Sequence, residues 1–237
     1  METGTLFLQN LKKTYGNKTA VNIASLEIRP QTFTCIVGKS GCGKTTLLRL
    51  LAGLETPDTI AKSITGLPAK TAPVFQEPRL MPWLTVKENI MFSLKGQNGM
   101  PVAEERCWQL LQELELTEAS DLYPTQLSGG MAQRVSLGRT LFYDPELILM
   151  DEPFSALDYF TRRNLQDMVL RLFRHQQKTI LFVTHDVEEA LLLGDRILVM
   201  ENGSIKADMP VILPFPRQAA DPSLQEMRQQ ILDLLAE

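Results

Sequence analysis

The sequence predicts an α/β fold: a mostly parallel sheet, an antiparallel β lobe at the N-terminus, and a helical lobe in mid-chain. Three observations carry this. Short, continuous apolar runs of strand length alternate with helix-patterned segments, as in strands buried on both faces. The first thirty residues instead read as short strands about a turn. Residues 84–107 look largely helical, with no strand-like run among them.

In chain order, LFLQNLKKTYGNKTAVNIASLEI turns at Gly16-Asn17. TFTCIVG, residues 32–38, is a strand that feeds a glycine-rich turn. A leucine-rich helix follows over 45–54 and stops at Glu-Thr-Pro. Residues 102–116 place Cys107, Leu110, Leu111 and Leu114 at helical spacing. LILM (147–150), TILFV (179–183) and RILVM (196–200) are the remaining buried strands, the last ending at the turn ENG. Between the first two, residues 159–175 form a helix with Leu165, Met168, Val169 and Leu172 on one face. Asp221-Pro222 supplies an N-cap and a first-turn proline to a last helix, about 221–236. Its inner face carries Leu224, Met227, Ile231 and Leu234. Residues 1–237 are expected to form one domain, with the helical lobe at about 77–140.

Composition narrows the function classes. At 237 residues the chain can bury a sizeable core, and 44% hydrophobic with 22% charged residues is ordinary for a globular protein. A net charge of −4 and a pI near 5.4 argue against nucleic acid as a partner, because phosphate neutralisation needs a basic patch. No apolar run reaches membrane-spanning length, and METGTLFLQN has neither the basic start nor the apolar core of a secretory leader. The three cysteines lack metal spacing and read as free thiols in a reducing compartment. Cys35 and Cys107 read as small buried apolar residues. Cys42, inside the glycine loop, is expected to be exposed.

That loop, GKSGCGKTT, fits G-x-x-x-x-G-K-[ST] at Gly38, Gly43, Lys44 and Thr45, between a strand and a helix. Glycines let the backbone curl so that several N–H groups point at phosphate oxygens. The helix N-terminus adds partial positive charge. The stretch Gly38, Lys39, Ser40, Gly41, Cys42, Gly43, Lys44, Thr45 and Thr46 is therefore expected to bind a nucleoside triphosphate. Lys39 sits on its outer side, Lys44 reaches the outer phosphates, and the Thr45 hydroxyl is a candidate Mg²⁺ ligand. LILMDEP adds the acidic partner: Asp151, at a strand end, holds hydrated Mg²⁺, and Glu152 is placed as general base for an attacking water. The core is then a P-loop NTPase, which by itself leaves the driven process open.

LSGGMAQR, residues 127–134, chooses among P-loop classes. It resembles the LSGGQ signature of ATP-binding cassette ATPases, with Met131 where glutamine is usual. The family's other motifs follow in order: Tyr15 as the adenine-stacking aromatic, Gln76 of VFQEP as the Q-loop glutamine and Mg²⁺ ligand, SALD (155–158) as the D-loop, and His185 of VTHD as the switch histidine. Alone, each is an ordinary residue; their order and spacing carry the resemblance. Ser128 caps a helix beginning near Met131, and Gly129 and Gly130 expose backbone N–H groups, which makes a second phosphate-binding surface. The resemblance implies that ATP and Mg²⁺ are bound, that Gln76, Glu152 and His185 serve catalysis, and that two copies face head to tail. The signature of one copy then closes over the γ-phosphate held by the other.

The resemblance also implies a transport motor working with separate membrane permease subunits and, indirectly, a substrate-binding protein. The subunit would lie on the cytoplasmic face of a bacterial inner membrane. The alternatives are cassette ATPases of iron–sulfur assembly, translation or DNA repair. Only about eighty residues separate Lys44 from Ser128, too few for a repair-type coiled coil, and one cassette is present where translation-type chains fuse two. FQEPRLMPWLTVKENI and the tail LPFPRQ resemble the nitrate, sulfonate and taurine importer group. Leu80, Met81 and Trp83 are expected to be exposed, as a surface for a permease helix. Residues 56–74 are shorter than is usual in the group.

Overall fold

The computed structural model of the chain describes residues 5–58, 63–94 and 100–236. β1 (Leu6–Tyr15) and β2 (Lys18–Ile28) form an antiparallel hairpin about the Gly16-Asn17 turn, where Gly16 takes a positive φ. β3 (Phe33–Val37) is buried along its whole length and runs into the glycine loop and α1 (Lys44–Leu51). α1 ends three residues before the expected Leu54. Gly53 adopts a left-handed conformation, and the amides of Gly53 and Leu54 turn back to the carbonyls of Leu50 and Arg49. This glycine-closed stop is set by Gly53, ahead of the proline.

β4 (Ile64–Thr65) adds to the hairpin beside β1, and β5 (Thr71–Val74) joins the main sheet. Residues 59–62 of the shortened 56–74 stretch lie outside the described residues. α2 (Val86–Ile90) starts with a complete capping box between Thr85 and Glu88 and runs into a 3₁₀ turn, Met91–Leu94. α3 is Met100–Glu113, and the expected helical stretch 84–107 includes 95–99, outside the described residues. α4 (Gly129–Tyr143) begins two residues earlier than Met131, because the Ser128 cap places Gly129 already inside the first turn. β6 (Leu147–Asp151), α5 (Tyr159–His175), β7 (Thr179–Thr184), α6 (Val187–Leu193), β8 (Arg196–Glu201), β9 (Ser204–Pro210) and α7 (Pro222–Ala236) complete the described chain. The sequence reading does not foresee α6 or β9.

The six-stranded sheet has the order β5-β6-β7-β3-β8-β9, parallel except for β9, which pairs antiparallel with β8. Its strands divide their side chains by the period of two. Cys35, Val37, Ile148, Met150, Phe182 and Val199 face a core with α3, α4, α5 and α6. Ile36, Leu147, Leu149, Leu181, Val183 and Leu198 face a second core with α1 and the β1–β2 hairpin. Both faces are covered, which is why these strands read as unbroken apolar runs rather than alternations.

Parallel register places the functional loops. Val37 sits opposite Thr184, Asp151 opposite Val183, and Val74 opposite Met150. The segments leaving β3, β5, β6 and β7 therefore emerge along one edge of the sheet. β3 has β7 on one side and β8 on the other, so the chain order reverses there. Such a reversal opens a crevice at the carboxyl ends of the strands.

Candidate nucleotide-binding site

A cleft of about 410 Å³ opens at that crevice, a size suited to a small-molecule ligand. Its walls include Ser40, Gly41, Gly43, Lys44, Thr45 and Thr46 on one side, Tyr15 and Lys18 on another, and Glu152 at the base. The loop can wrap this space because two of its glycines lack a side chain. A Cβ at Gly43 would meet the Ala20 carbonyl oxygen at 2.0 Å, and one at Gly38 would meet that of Met200 at 2.3 Å. Gly43 also holds φ +111, a conformation closed to other residues at low cost. α1 has no side-chain cap, so its first amides stay available to an anion at the loop's centre.

Lys44 is only 5% exposed, yet its ammonium lines the cleft. It donates to the carbonyls of Gly38 at 2.8 Å and Lys39 at 3.2 Å, so the loop's own backbone holds the charge under its centre. Lys39 itself is exposed and does not line the cleft. Cys42 corrects its expectation: it is buried, at 7% exposure. Its carbonyl accepts from the Gly203 amide at 2.8 Å, and its side chain packs into the second core under the loop. The β-lobe carries that core against the loop, a long-range contact that local glycine content does not reveal.

Asp151 does not itself line the cleft; it meets Thr45, which does, the Thr45 hydroxyl donating to Asp151 Oδ1 at 3.1 Å. Burial raises the Asp151 carboxyl above its usual range; the Thr45 hydrogen bond opposes this, and the neighbouring Glu152 charge adds to it. These are hard oxygen donors, of the kind that hold Mg²⁺ through one or two side chains and the ligand's phosphates. Glu152 has φ +45, an uncommon conformation for a residue with a side chain. Its amide bonds the Val183 carbonyl at 2.9 Å, and its carboxylate meets His185 Nδ1 at 2.7 Å. The two side chains thus come together from β6 and β7.

Tyr15 is half exposed on the cleft wall; its hydroxyl bonds the Glu55 carboxylate, and Lys13 Nζ lies 5.4 Å from its ring centre. Sequence reasoning missed Lys18, three residues beyond Tyr15 across the hairpin turn, and Glu55, which fixes the ring's outer edge. The hairpin register holds the only local signal for Lys18.

Gln76, His185 and Ser128, Gly129 and Gly130 do not line the cleft. Gln76 is exposed, two residues past β5. Ser128 Oγ accepts from the Met131 amide at 3.2 Å; Ser128 and Gly129 are exposed at the start of α4, whereas Gly130 is buried. Beyond Gln76, Trp83 is 69% exposed, as expected, but Leu80 and Met81 are half-buried and Leu80 packs on the main core. The reason is Asn89, fully buried, whose side chain accepts from the Met81 amide at 2.8 Å and donates to the carbonyls of Met81, Leu84 and Thr85. That hub curls the segment inward at residues 80 and 81 and leaves Trp83 on the rim.

Comparison with known proteins identifies the family. The profile of the ABC transporter family matches residues 21–155. The aliphatic sulfonates import ATP-binding protein SsuB of Granulibacter bethesdensis is 44% identical over 234 residues, 99% of this chain and 95% of that protein. SsuB 1 of Pseudomonas fluorescens is 44% identical over 227 residues, 96% of this chain and 85% of its own length. Among solved structures, the dimeric bacterial ABC transporter cassette MJ0796 matches with a TM-score of 0.76 at 31% identity, covering 88% of this chain and 100% of that one. Its post-hydrolysis dimer bound to ADP and Pi matches with a TM-score of 0.74 at the same identity and coverage. A profile over more than half of the residues, and close relatives along nearly all of them, leave one conclusion: the chain belongs to the ABC transporter family.

Proposed function

We propose that the chain is the ATP-hydrolysing subunit of an importer and powers uptake of a small solute, aliphatic sulfonates foremost, through separate membrane permease subunits. The observation that carries the chemistry is the cleft itself, walled by the glycine loop and Tyr15 and floored by Glu152. The solute class is supported by relatives that are import ATP-binding proteins for aliphatic sulfonates, similar to this chain along nearly its whole length. They favour import over iron–sulfur assembly, translation or DNA repair.

In this reading residues 1–237 are one nucleotide-binding domain. Tyr15 stacks on the adenine, and the loop from Gly38 to Thr46 cradles the phosphates with its amides, Lys44 supplying the charge. Thr45, Asp151 and Gln76 would hold Mg²⁺, which when bound neutralises charge on the outer phosphates. Glu152 takes a proton from the attacking water as general base, a role generally contributing 10²–10⁴-fold. His185 Nδ1, 2.7 Å from Glu152, orients that carboxylate and leaves its other ring nitrogen free to face the γ-phosphate. Ser128, Gly129 and Gly130 complete the site of a second copy, head to tail, as the dimeric cassettes similar to this chain suggest. The assembled subunit sits peripherally on the cytoplasmic face of a bacterial inner membrane.

The test is reconstitution. Co-purified with its permease subunits and placed in vesicles, the chain is expected to hydrolyse ATP faster when the cognate binding protein is loaded with an alkanesulfonate. Stimulation by nitrate or a pyrimidine instead would move the solute out of the sulfonate class, and stimulation by taurine alone would narrow it to aminoalkanesulfonates. Hydrolysis indifferent to every loaded binding protein would overturn the importer reading.

A further inference from the structure

Two halves of the catalytic edge are joined inside the subunit by one side chain that no motif includes. Arg162 stands in the first turn of α5, just after the 155–158 turn. Its Nη2 donates to the Leu157 carbonyl at 3.0 Å, which fixes that turn. Its Nη1 lies 3.8 Å from Asp186 Oδ2. Asp186 follows His185 directly and caps α6, its Oδ1 accepting from the amides of Glu188 and Glu189. Arg162 thus spans from the turn after β6 to the residue next to His185.

The same turn abuts the signature. A Cβ on Gly129 would touch Leu157 Cδ2 at 3.8 Å, and one on Gly130 would meet Thr161 Cγ2 at 2.5 Å. Gly130 lets α4 settle directly on the first turn of α5, while at Gly129 a side chain would only touch Leu157 at ordinary contact distance. A chain of contacts therefore runs from the signature, through Leu157 and Arg162, to Asp186 and His185. A second tie lies deeper: Gln166 Nε2 donates to Glu189 Oε1 at 2.9 Å, both residues buried. That buried tie joins α5 and α6 without Arg162, so an Arg162 variant is expected to keep its fold.

We propose that Arg162 is a positioning residue that locks the 155–158 turn and the signature glycines to the His185 segment, so that the two ATP sites of a dimer fire together. The inference rests on the head-to-tail reading above, in which each subunit gives His185 to its own nucleotide and its signature to the partner's. A brace between the two makes closure over one nucleotide felt at the other. An exposed ion pair alone would contribute little; the hydrogen bond to a backbone carbonyl gives the brace its direction.

Arg162→Ala, Arg162→Lys and the parent are compared for ATP affinity, kcat, the Hill coefficient for ATP, and thermal melting. Arg162→Ala is expected to lower kcat by about 10-fold, short of the roughly 10² that an ångström of misplacement can cost. Its Hill coefficient should fall toward one, with ATP affinity and melting temperature near the parent's. Arg162→Lys, which keeps one donor, should recover part of both losses. Asp186→Asn keeps the cap but removes the charge, and should act in the same direction and non-additively with Arg162→Ala. An Arg162→Ala enzyme with parental kcat and cooperativity overturns the brace, as does a parallel loss of ATP affinity and melting temperature. ATP-dependent dimerisation of Glu152→Gln chains on size exclusion, and its loss when Ser128→Arg is added, tests the dimer whatever the coupling between its sites. A dimer there beside an unaltered Arg162→Ala enzyme removes the brace alone; a chain that stays monomeric with ATP removes the dimer reading and the inference with it.

Discussion

The starts of α1 and α4 are both glycine-bearing helix N-termini, and they are built differently. α1 starts from Gly43 with no side-chain cap, its amides left open over a cleft that already contains Lys44, Thr45 and Glu152. α4 starts from Ser128, whose hydroxyl satisfies the Met131 amide, and its signature residues lie outside that cleft. The first terminus has a lysine, a wall and an acidic floor supplied by its own chain. The second has backbone dipole and a hydroxyl, too little to hold a highly charged phosphate alone. In the proposed reading, the difference makes one a binding site and the other half of one, completed by the nucleotide of a second copy.

The sharpest way to break this comparison is to disable each terminus separately. Lys44→Ala and Ser128→Arg should both reduce hydrolysis to background. Only Lys44→Ala should also weaken ATP binding by calorimetry, by roughly 10² or more, since charged hydrogen bonds contribute about 1.5–3 kcal/mol each. A mixture of the two variants should form mixed dimers with one composite site intact, and the activity they recover should fall short of half the parental rate by as much as the two sites are coupled. Equal loss of ATP affinity in both variants would mean that the signature serves its own chain's nucleotide.

Glu152→Gln comes next in size. It should leave ATP affinity unchanged, slow hydrolysis by roughly 10²–10⁴-fold, and accumulate an ATP-bound dimer on size exclusion. Parental turnover in this variant would place the base elsewhere.

A smaller effect concerns the rim. Trp83→Ala should weaken co-purification with the permease subunits by about 2 kcal/mol, roughly 30-fold in affinity. A side chain 69% exposed contributes little to the core, so the melting temperature of the isolated chain should hold. A large drop in melting temperature with normal co-purification would contradict the docking role. Smallest is Ser128→Ala, which removes a cap worth about 1 kcal/mol of stability. α1 offers no counterpart, since no side chain caps it.

Much of the fold and of the candidate site was legible in the sequence, for reasons tied to particular residues. β3, β6, β7 and β8 are short apolar runs because both faces of the sheet are covered, and that pattern is local. The glycine loop was legible because phosphate wrapping demands glycine, lysine and threonine at fixed offsets, and Asp151-Glu152 because they end an apolar strand. α6 and β9 were not: α6 is seven residues long, and β9 alternates half-buried with exposed residues at the sheet's edge. Lys18 and Glu55 were missed because Lys18 reaches the cleft from the β1–β2 hairpin, and Glu55 holds the Tyr15 hydroxyl from the segment after α1.

What the sequence by itself determined, then, is the identity and order of the chemical groups, since each motif works through backbone geometry set within a few residues. Only the tertiary structure decided which of those groups meet. Cys42 is buried because the β-lobe core closes under its loop, Leu80 turns inward because Asn89 bonds four backbone groups at once, and Glu152 finds His185 because β6 and β7 are parallel neighbours in a set register. Such contacts join residues far apart in the chain, and they depend on packing whole elements together, which no short stretch of sequence encodes.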